Sequence, residues 1–200
     1  HINKVEGIVV LTDKAHMPTS SKLTNLICYE DLIADMPTEF TWPLLDENCD
    51  AALCYTSGTT GNPKGVMYTH RSTVLHTIAS VQHNALNISN DTVLLPVVPM
   101  FHVNAWGTPY AATMTGAKIV FPAHGMDGAS LYELINGEQA NLLLGVPTIW
   151  LGLLNYLDQI GATLTSVKNV VVGGAAAPLS MIKAFQEKHD AFLIHAWGMT

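Results

Sequence analysis

From Cys49 onward the sequence alternates short apolar runs with segments of helical periodicity, and this alternation limits the fold more than any other feature. The apolar runs are Ala51–Tyr55, Thr92–Val98, Lys118–Phe121, Leu142–Val146, Asn169–Val172 and Phe192–His195. Between them lie His70–Leu86, Phe101–Met114, Gly128–Asn136, Pro147–Ile160 and Pro178–His189. In the first of these segments Val74, Ile78, Val81 and Ala85 are spaced four, three and four apart, which predicts one apolar helical face. Pro147 opens its segment at the helical position where a missing N–H costs nothing. Strands that are apolar throughout, joined through helices, predict an α/β fold with a parallel sheet covered by helices on both faces. The pattern does not encode strand order. In such sheets ligands bind beyond the carboxyl ends of the strands. The segments after Tyr55, Val98, Val172 and His195 are therefore expected to converge on one site.

Residues 1–48 lack this rhythm. Gly7–Leu11 reads as a buried strand, Thr19–Asn25 as a polar loop, Tyr29–Asp35 as one or two helical turns and Pro37–Pro43 as a connector. The expected division is a tail of a preceding subdomain over 1–48 and an α/β subdomain over 49–200.

The first strand leads into an unusual loop. Thr56–Gly65 (Thr-Ser-Gly-Thr-Thr-Gly-Asn-Pro-Lys-Gly) holds three glycines, four hydroxyls and one lysine. Glycine lets the backbone turn and approach a ligand, and consecutive turned N–H groups form a nest for an anion. Thr56, Ser57, Thr59 and Thr60 add hydroxyl donors, and Lys64 adds a mobile positive charge. The chemistry suits a phosphate, although a plain glycine-rich surface turn would use the same residue types. It is not a Walker loop, because Pro63 stands where glycine belongs and Gly65 replaces the hydroxyl. The G-x-G-x-x-G fingerprint is also absent.

Composition narrows the partners. Acidic residues outnumber basic ones 16 to 9, net −7, and no basic run exceeds two neighbours, so nucleic acid is not an expected partner. Charged residues are only 12% of the chain, as expected where much surface is covered by its own helices or by further chain. Thr92–Ala117 and Gln139–Leu157 lack Asp, Glu, Lys and Arg, but prolines interrupt both, and buried strand–turn–helix units account for them better than membrane spans do. Cys28, Cys49 and Cys54 are odd in number and irregular in spacing, which suits a reducing, cytoplasmic setting.

Four segments carry a resemblance. Tyr55–Val66 (Tyr-Thr-Ser-Gly-Thr-Thr-Gly-Asn-Pro-Lys-Gly-Val) resembles the signature loop of the adenylate-forming superfamily at twelve successive positions. Pro99–Trp106 (Pro-Met-Phe-His-Val-Asn-Ala-Trp) resembles the fourth motif of its medium- and long-chain acyl-CoA synthetases. Val170–Pro178, with Gly173 and Gly174 followed by three alanines, resembles the segment lining the adenine and acyl pockets. His195–Thr200 (His-Ala-Trp-Gly-Met-Thr) resembles the fifth motif, with Trp197 where a tyrosine is usual. Taken alone, Pro99–Trp106 also reads as an aromatic helix start packed on the sheet, and Val170–Pro178 as tight strand–helix packing.

The resemblance implies ATP-dependent activation of a fatty acid to an acyl-adenylate and then to acyl-CoA, with ATP, Mg2+ and CoA required. It implies nucleotide contacts from Thr56, Ser57, Gly58, Thr59, Thr60, Gly61, Lys64, His102, Gly174, Ala175, His195, Ala196, Trp197, Gly198 and Thr200. Thr56 would lie near the metal. His102, Val103, Trp106 and Gly173 would line and gate the acyl slot, and Thr56, Lys64, His102 and Thr200 would serve the chemistry. No residue from 99 to 106 is acidic, so the site lacks the counter-ion an amino-acid substrate would need. The glutamate that follows the fifth motif in the family, a ribose-binding aspartate, a hinge and a C-terminal domain with its lysine do not occur in these residues. The 200-residue piece alone is thus expected to be inactive. A homodimer through regions outside it fits the same picture. The other readings are a non-catalytic ATP- or AMP-binding fragment, and ligation of a short sulfur-containing, branched or aromatic acid or oxidation of a luciferin.

Overall fold

The structure is a computed structural model that describes residues 5–19, 21–56 and 61–200. The chain divides into two compact units, His1–Leu45 and Asp46–Thr200.

In the first unit β1 (Ile8–Val10) pairs in parallel with β2 (Leu26–Cys28), Val9 standing opposite Ile27. The buried Cys28 thiol donates to the Thr12 carbonyl at 3.2 Å, and one short helix, α1 (Tyr29–Ile33), follows directly. The strand expected over Gly7–Leu11 is present, but it is not buried: Ile8 and Val10 are half-buried and Val9 and Leu11 are exposed. Its partner Leu26–Cys28 was not foreseen, because three residues are too few to show a period.

The second unit is built on a five-stranded parallel sheet. Its strands are β5 (Val93–Pro96), β6 (Lys118–Ile119), β7 (Leu142–Gly145), β8 (Asn169–Val172) and β9 (Phe192–His195), in the order β6-β5-β7-β8-β9. Successive strand residues point to opposite faces, and both faces are packed. On one face Leu95, Leu143, Val170, Val172 and Leu193 meet α5 (Gly128–Glu138), α6 (Pro147–Ile160) and α7 (Leu179–His189). On the other, Leu94, Leu142, Leu144 and Val171 meet Ala111 and Ala112 of α4 (Thr108–Thr115). Two-sided burial is why these strands read as unbroken apolar runs. In α6, Trp150, Leu153, Leu154 and Leu157 are buried while Asn155, Asp158 and Gln159 face water, the stripe a sheet-packed helix needs.

The winding reverses inside this sheet. From β5 the chain crosses through α4 to β6 on one side. It then returns past β5 through α5 to β7 and continues outward to β8 and β9. The reversal lies between β5 and β7, and the crevice beyond their carboxyl ends is where a doubly wound sheet takes a ligand.

Three expectations are corrected. Ala51–Tyr55 is a strand, β3 (Asp50–Thr56), but it is not in the parallel sheet. It forms an antiparallel hairpin with β4 (Lys64–Thr69), and within it only Cys54 is buried. The connection from Thr56 to Lys64 is too short for a parallel crossover, so the return strand must be antiparallel. The helix expected over His70–Leu86 is α2 (His70–Ser80), opened by a capping box between Thr69 and Ser72. Its buried residue is Thr77, whose hydroxyl bonds the Thr73 carbonyl at 2.7 Å. Val74 and Ile78, expected to face inward, are exposed, because α2 sits against α4 through its small hydroxylated side. Finally, Phe101–Met114 is not one helix. It is α3 (Val103–Trp106), a single left-handed turn, then Gly107, then α4.

Candidate functional site

The strand ends form one rim. Pro96 lies opposite Leu144, Gly145 opposite Val172, and Val172 opposite His195, all pointing the same way. The ladder runs slightly past the strands: Val97 N donates to Leu144 O at 2.8 Å, Gly173 N to Gly145 O at 3.3 Å and Ala196 N to Val172 O at 2.8 Å. The segments after β5, β8 and β9 therefore start from one edge, as the sequence pattern predicts.

His102 begins the first of these segments. It is exposed, and its backbone N–H donates to Pro99 O at 3.0 Å. The next four residues, Val103 to Trp106, have φ of 48°, 50°, 49° and 57°, and Gly107 continues at 77°. A left-handed turn brings Cβ against the following carbonyl and costs non-glycine residues roughly 1–2 kcal/mol each. Packing repays part of this. Ala105 is fully buried, and Trp106 joins the face that holds Val98, Ala112, Ile194 and Ala196. At Gly107 the positive φ suits glycine, and the ring of His76 from α2 covers the space where a Cβ would stand.

Trp106 and Gly173 meet. A Cβ placed on Gly173 would lie 2.8 Å from Cη2 of the indole, so only glycine admits the ring here. Two segments far apart in the sequence are thereby brought into one contact. Gly174 follows at φ 78°, next to the Val146 side chain at the end of β7, and Gly174, Ala175 and Ala176 are all exposed. At the end of β9 His195 is exposed, Ala196 packs against the same core cluster as Trp106, and Trp197 presents a nearly free indole at 86% exposure. Gly198 is exposed and Thr200 half-buried.

The hairpin carries the glycine-rich loop. Thr56 and Lys64 are paired at its loop end, Lys64 exposed and Thr56 half-buried, and Gly61 is exposed. Ser57, Gly58, Thr59 and Thr60 lie outside the described residues. Among the described residues, one hydrogen bond joins the hairpin to the rim. The Cys54 thiol, two residues before Thr56, faces Asn104 Oδ1 at 3.8 Å, two residues after His102. Asn104 in turn donates through Nδ2 to the Tyr110 hydroxyl at 3.3 Å. Among the described residues no hydrogen bond joins Trp197 or Thr200 to the hairpin.

The rim is electrostatically open to anions. Residues 97–106, 145–149, 172–180 and 195–200 contain no aspartate or glutamate, while His102 and His195 stand on two of these segments. The acidic side chains sit elsewhere, in pairs such as Arg71–Glu47 and Lys188–Asp158. Among the described residues no three His, Cys, Asp or Glu side chains converge to hold a metal ion. The Thr56 hydroxyl is a ligand of the hard-oxygen type that magnesium takes. No helix among the described residues is long and apolar enough to cross a membrane.

Asn104, Cys54 and His76 were given no role from the sequence. The signal was faint: asparagine tolerates left-handed backbone better than most residues, and one lay within the Pro99–Trp106 segment.

Comparison with known proteins agrees with this layout. A family profile described as AMP-binding enzyme matches residues 4–200. The medium-chain-fatty-acid–CoA ligase of Ectopseudomonas oleovorans is 51% identical over 197 residues, 98% of this chain and 36% of the relative. A 3-methylmercaptopropionyl-CoA ligase of Ruegeria lacuscaerulensis is 50% identical over 179 residues, 90% of this chain and 33% of the relative. The chain thus spans about a third of the length of these relatives. Among solved structures, the anthranilate CoA ligase AuaEII in complex with anthranoyl-AMP superposes with a TM-score of 0.80 at 22% identity, covering 97% of this chain and 36% of that one. That likeness concerns the fold. On the family profile and the sequence match, the chain belongs to the AMP-binding enzyme family.

Proposed function

We propose that the full-length protein activates a medium- or long-chain fatty acid with ATP, forming an acyl-adenylate and pyrophosphate, and then transfers the acyl group to CoA. The observation that carries this reading is the seating of Trp106 on Gly173 at a rim without carboxylates, with the hairpin of the glycine-rich loop tied to the same rim through Cys54 and Asn104. The 51% identity to a medium-chain-fatty-acid–CoA ligase supports the acid and the thiol.

In this reading the acid's own carboxylate is the nucleophile, and no protein side chain forms a covalent bond. The protein's task is to align the carboxylate with the α-phosphate and to stabilise charge on the phosphate oxygens. Thr56, Thr60 and Lys64 hold the phosphate tail, Thr200 the α-phosphate region, Gly174, Ala175 and Trp197 the adenine, and His102, Val103 and Trp106 the acyl end. Magnesium, when bound with ATP, neutralises phosphate charge. Lys64 is free to reach a triphosphate, because it is exposed and no ion pair holds it among the described residues. The division into a short preceding tail and a nucleotide- and acyl-binding part, a cytoplasmic setting and pairing of two copies through regions outside this chain belong to the same reading.

ATP–pyrophosphate exchange with a series of straight-chain acids tests it, with 3-methylmercaptopropionate included because a relative at 50% identity carries that name. Exchange that peaks at medium or long chains is the expected result. A peak at the sulfur-containing acid would favour the second reading, a short slot closed by the indole. No exchange with any fatty acid would sink the proposal.

A further inference from the structure

Val103 and Trp106 have no intrinsic preference for left-handed backbone, so something outside them must keep α3 in that form. The structure supplies one candidate. Asn104 sits inside the turn at φ 50° and ψ 50°, a conformation asparagine tolerates. Its side chain is held from two directions, by the Cys54 thiol at Oδ1 and by the Tyr110 hydroxyl at Nδ2. Its carbonyl accepts from Gly107 N at 3.1 Å, and Thr108 closes the next step by donating its hydroxyl to Ala105 O at 2.8 Å. The turn is thus anchored at its second residue, while its fourth residue carries the indole.

We propose that Asn104 is a positioning residue: clamped between Cys54 and Tyr110, it holds α3 left-handed and so seats the Trp106 indole on Gly173. The inference rests on the reading of Trp106 as the lid of the acyl slot. It adds a mechanical link, because Cys54 belongs to β3, the strand that runs into the glycine-rich loop. A pull on that strand reaches Asn104 through one contact and the lid through two more residues. Turned to right-handed geometry, the same four residues would aim the Trp106 side chain in another direction, and the cover over Gly173 would be lost.

The test uses the full-length protein labelled with 5-fluorotryptophan, the Trp106 resonance being identified by its loss in Trp106→Phe. Asn104→Ala is expected to shift or broaden that resonance. It is also expected to lower kcat/KM for the preferred acid on the order of tenfold, the size of loss that follows displacement of a positioning group. In a Trp106→Ala background the same change should have little further effect, since a residue that acts through another is not additive with it. If Asn104→Ala does not fold, Cys54→Ala and Tyr110→Phe each remove one arm of the clamp and are read in the same way, with Cys54→Ser restoring a donor. An unmoved Trp106 resonance, or an equal loss in both backgrounds, would overturn the proposal. Absence of exchange activity in the unaltered protein would instead overturn the functional reading, and the resonance test would still stand.

Discussion

The Trp106 indole lies against Gly173 so closely that a Cβ at position 173 would stand 2.8 Å from Cη2. The ring cannot stay where it is once that atom is added. Gly173→Ala is therefore expected to push the indole off the rim and to destabilise the fold by about 1–3 kcal/mol, the usual cost of overpacking. Denaturant unfolding measures the second effect. The first should appear as altered chain-length preference in the full-length protein. An unchanged preference together with unchanged stability would mean that the contact is looser than described.

A parallel case lies deeper. Trp150 is fully buried, and its ring edge would stand 2.7 Å from a Cβ at Gly145. Here the neighbour is core, packed with Leu153, Leu157 and Phe185, and cannot swing into solvent. Gly145→Ala should cost at least as much stability as Gly173→Ala. The two changes, compared by chemical denaturation, rank how firmly each indole is held.

His189 gives the fold a pH dependence. It is buried at the end of α7, its Nδ1 accepts from the Leu164 N–H at 3.4 Å, and Nε2 has no partner among the described residues. Burial holds its pKa below the ordinary imidazole value, Asp158 partly opposes this, and Lys188 adds to the lowering. The unfolded chain therefore takes up the proton first as pH falls. Stability from this residue is complete above about pH 6.5 and is lost as pH drops toward the folded-state value. Melting temperature followed from pH 7.5 down to 5.5 should fall more steeply for the parent than for His189→Gln, which retains an acceptor for Leu164 but does not titrate.

The start of α2 offers a local test. Thr69 and Ser72 cap each other's backbone N–H groups, at 3.1 and 3.0 Å. Thr69→Ala should cost about 0.5–2 kcal/mol, typical of a lost cap. Thr69→Ser should restore most of it. Equal stability of the two variants would show that the cap contributes nothing.

The parallel sheet was legible because burial on both faces leaves apolar runs with little polar interruption. Pro147–Ile160, Asn169–Val172 and Phe192–His195 fall where pattern and punctuation put them. The hairpin was not legible, because β4 begins with Lys64 and Gly65, residues that do not announce a strand, and Val66–Thr69 is too short to stand out. Handedness was invisible at α3. His-Val-Asn-Ala-Trp looks like the opening of an ordinary helix, and only the backbone angles of Val103 to Trp106 reveal the other sense. The apolar face of α2 misled for a related reason, since periodicity finds a stripe but not what the stripe meets. Val74 and Ile78 form such a stripe and are exposed.

The reversal of winding between β5 and β7 has a consequence for how this scaffold changes over time. The sheet edge at which it lies is set by connectivity rather than by any particular side chain. His102, Val146 and Gly174 border it from exposed positions, while the strands beneath are sealed by leucines and valines. Under the proposed function, appetite for one acid or another is rewritten at the lip, a residue at a time, with the foundation left as it was.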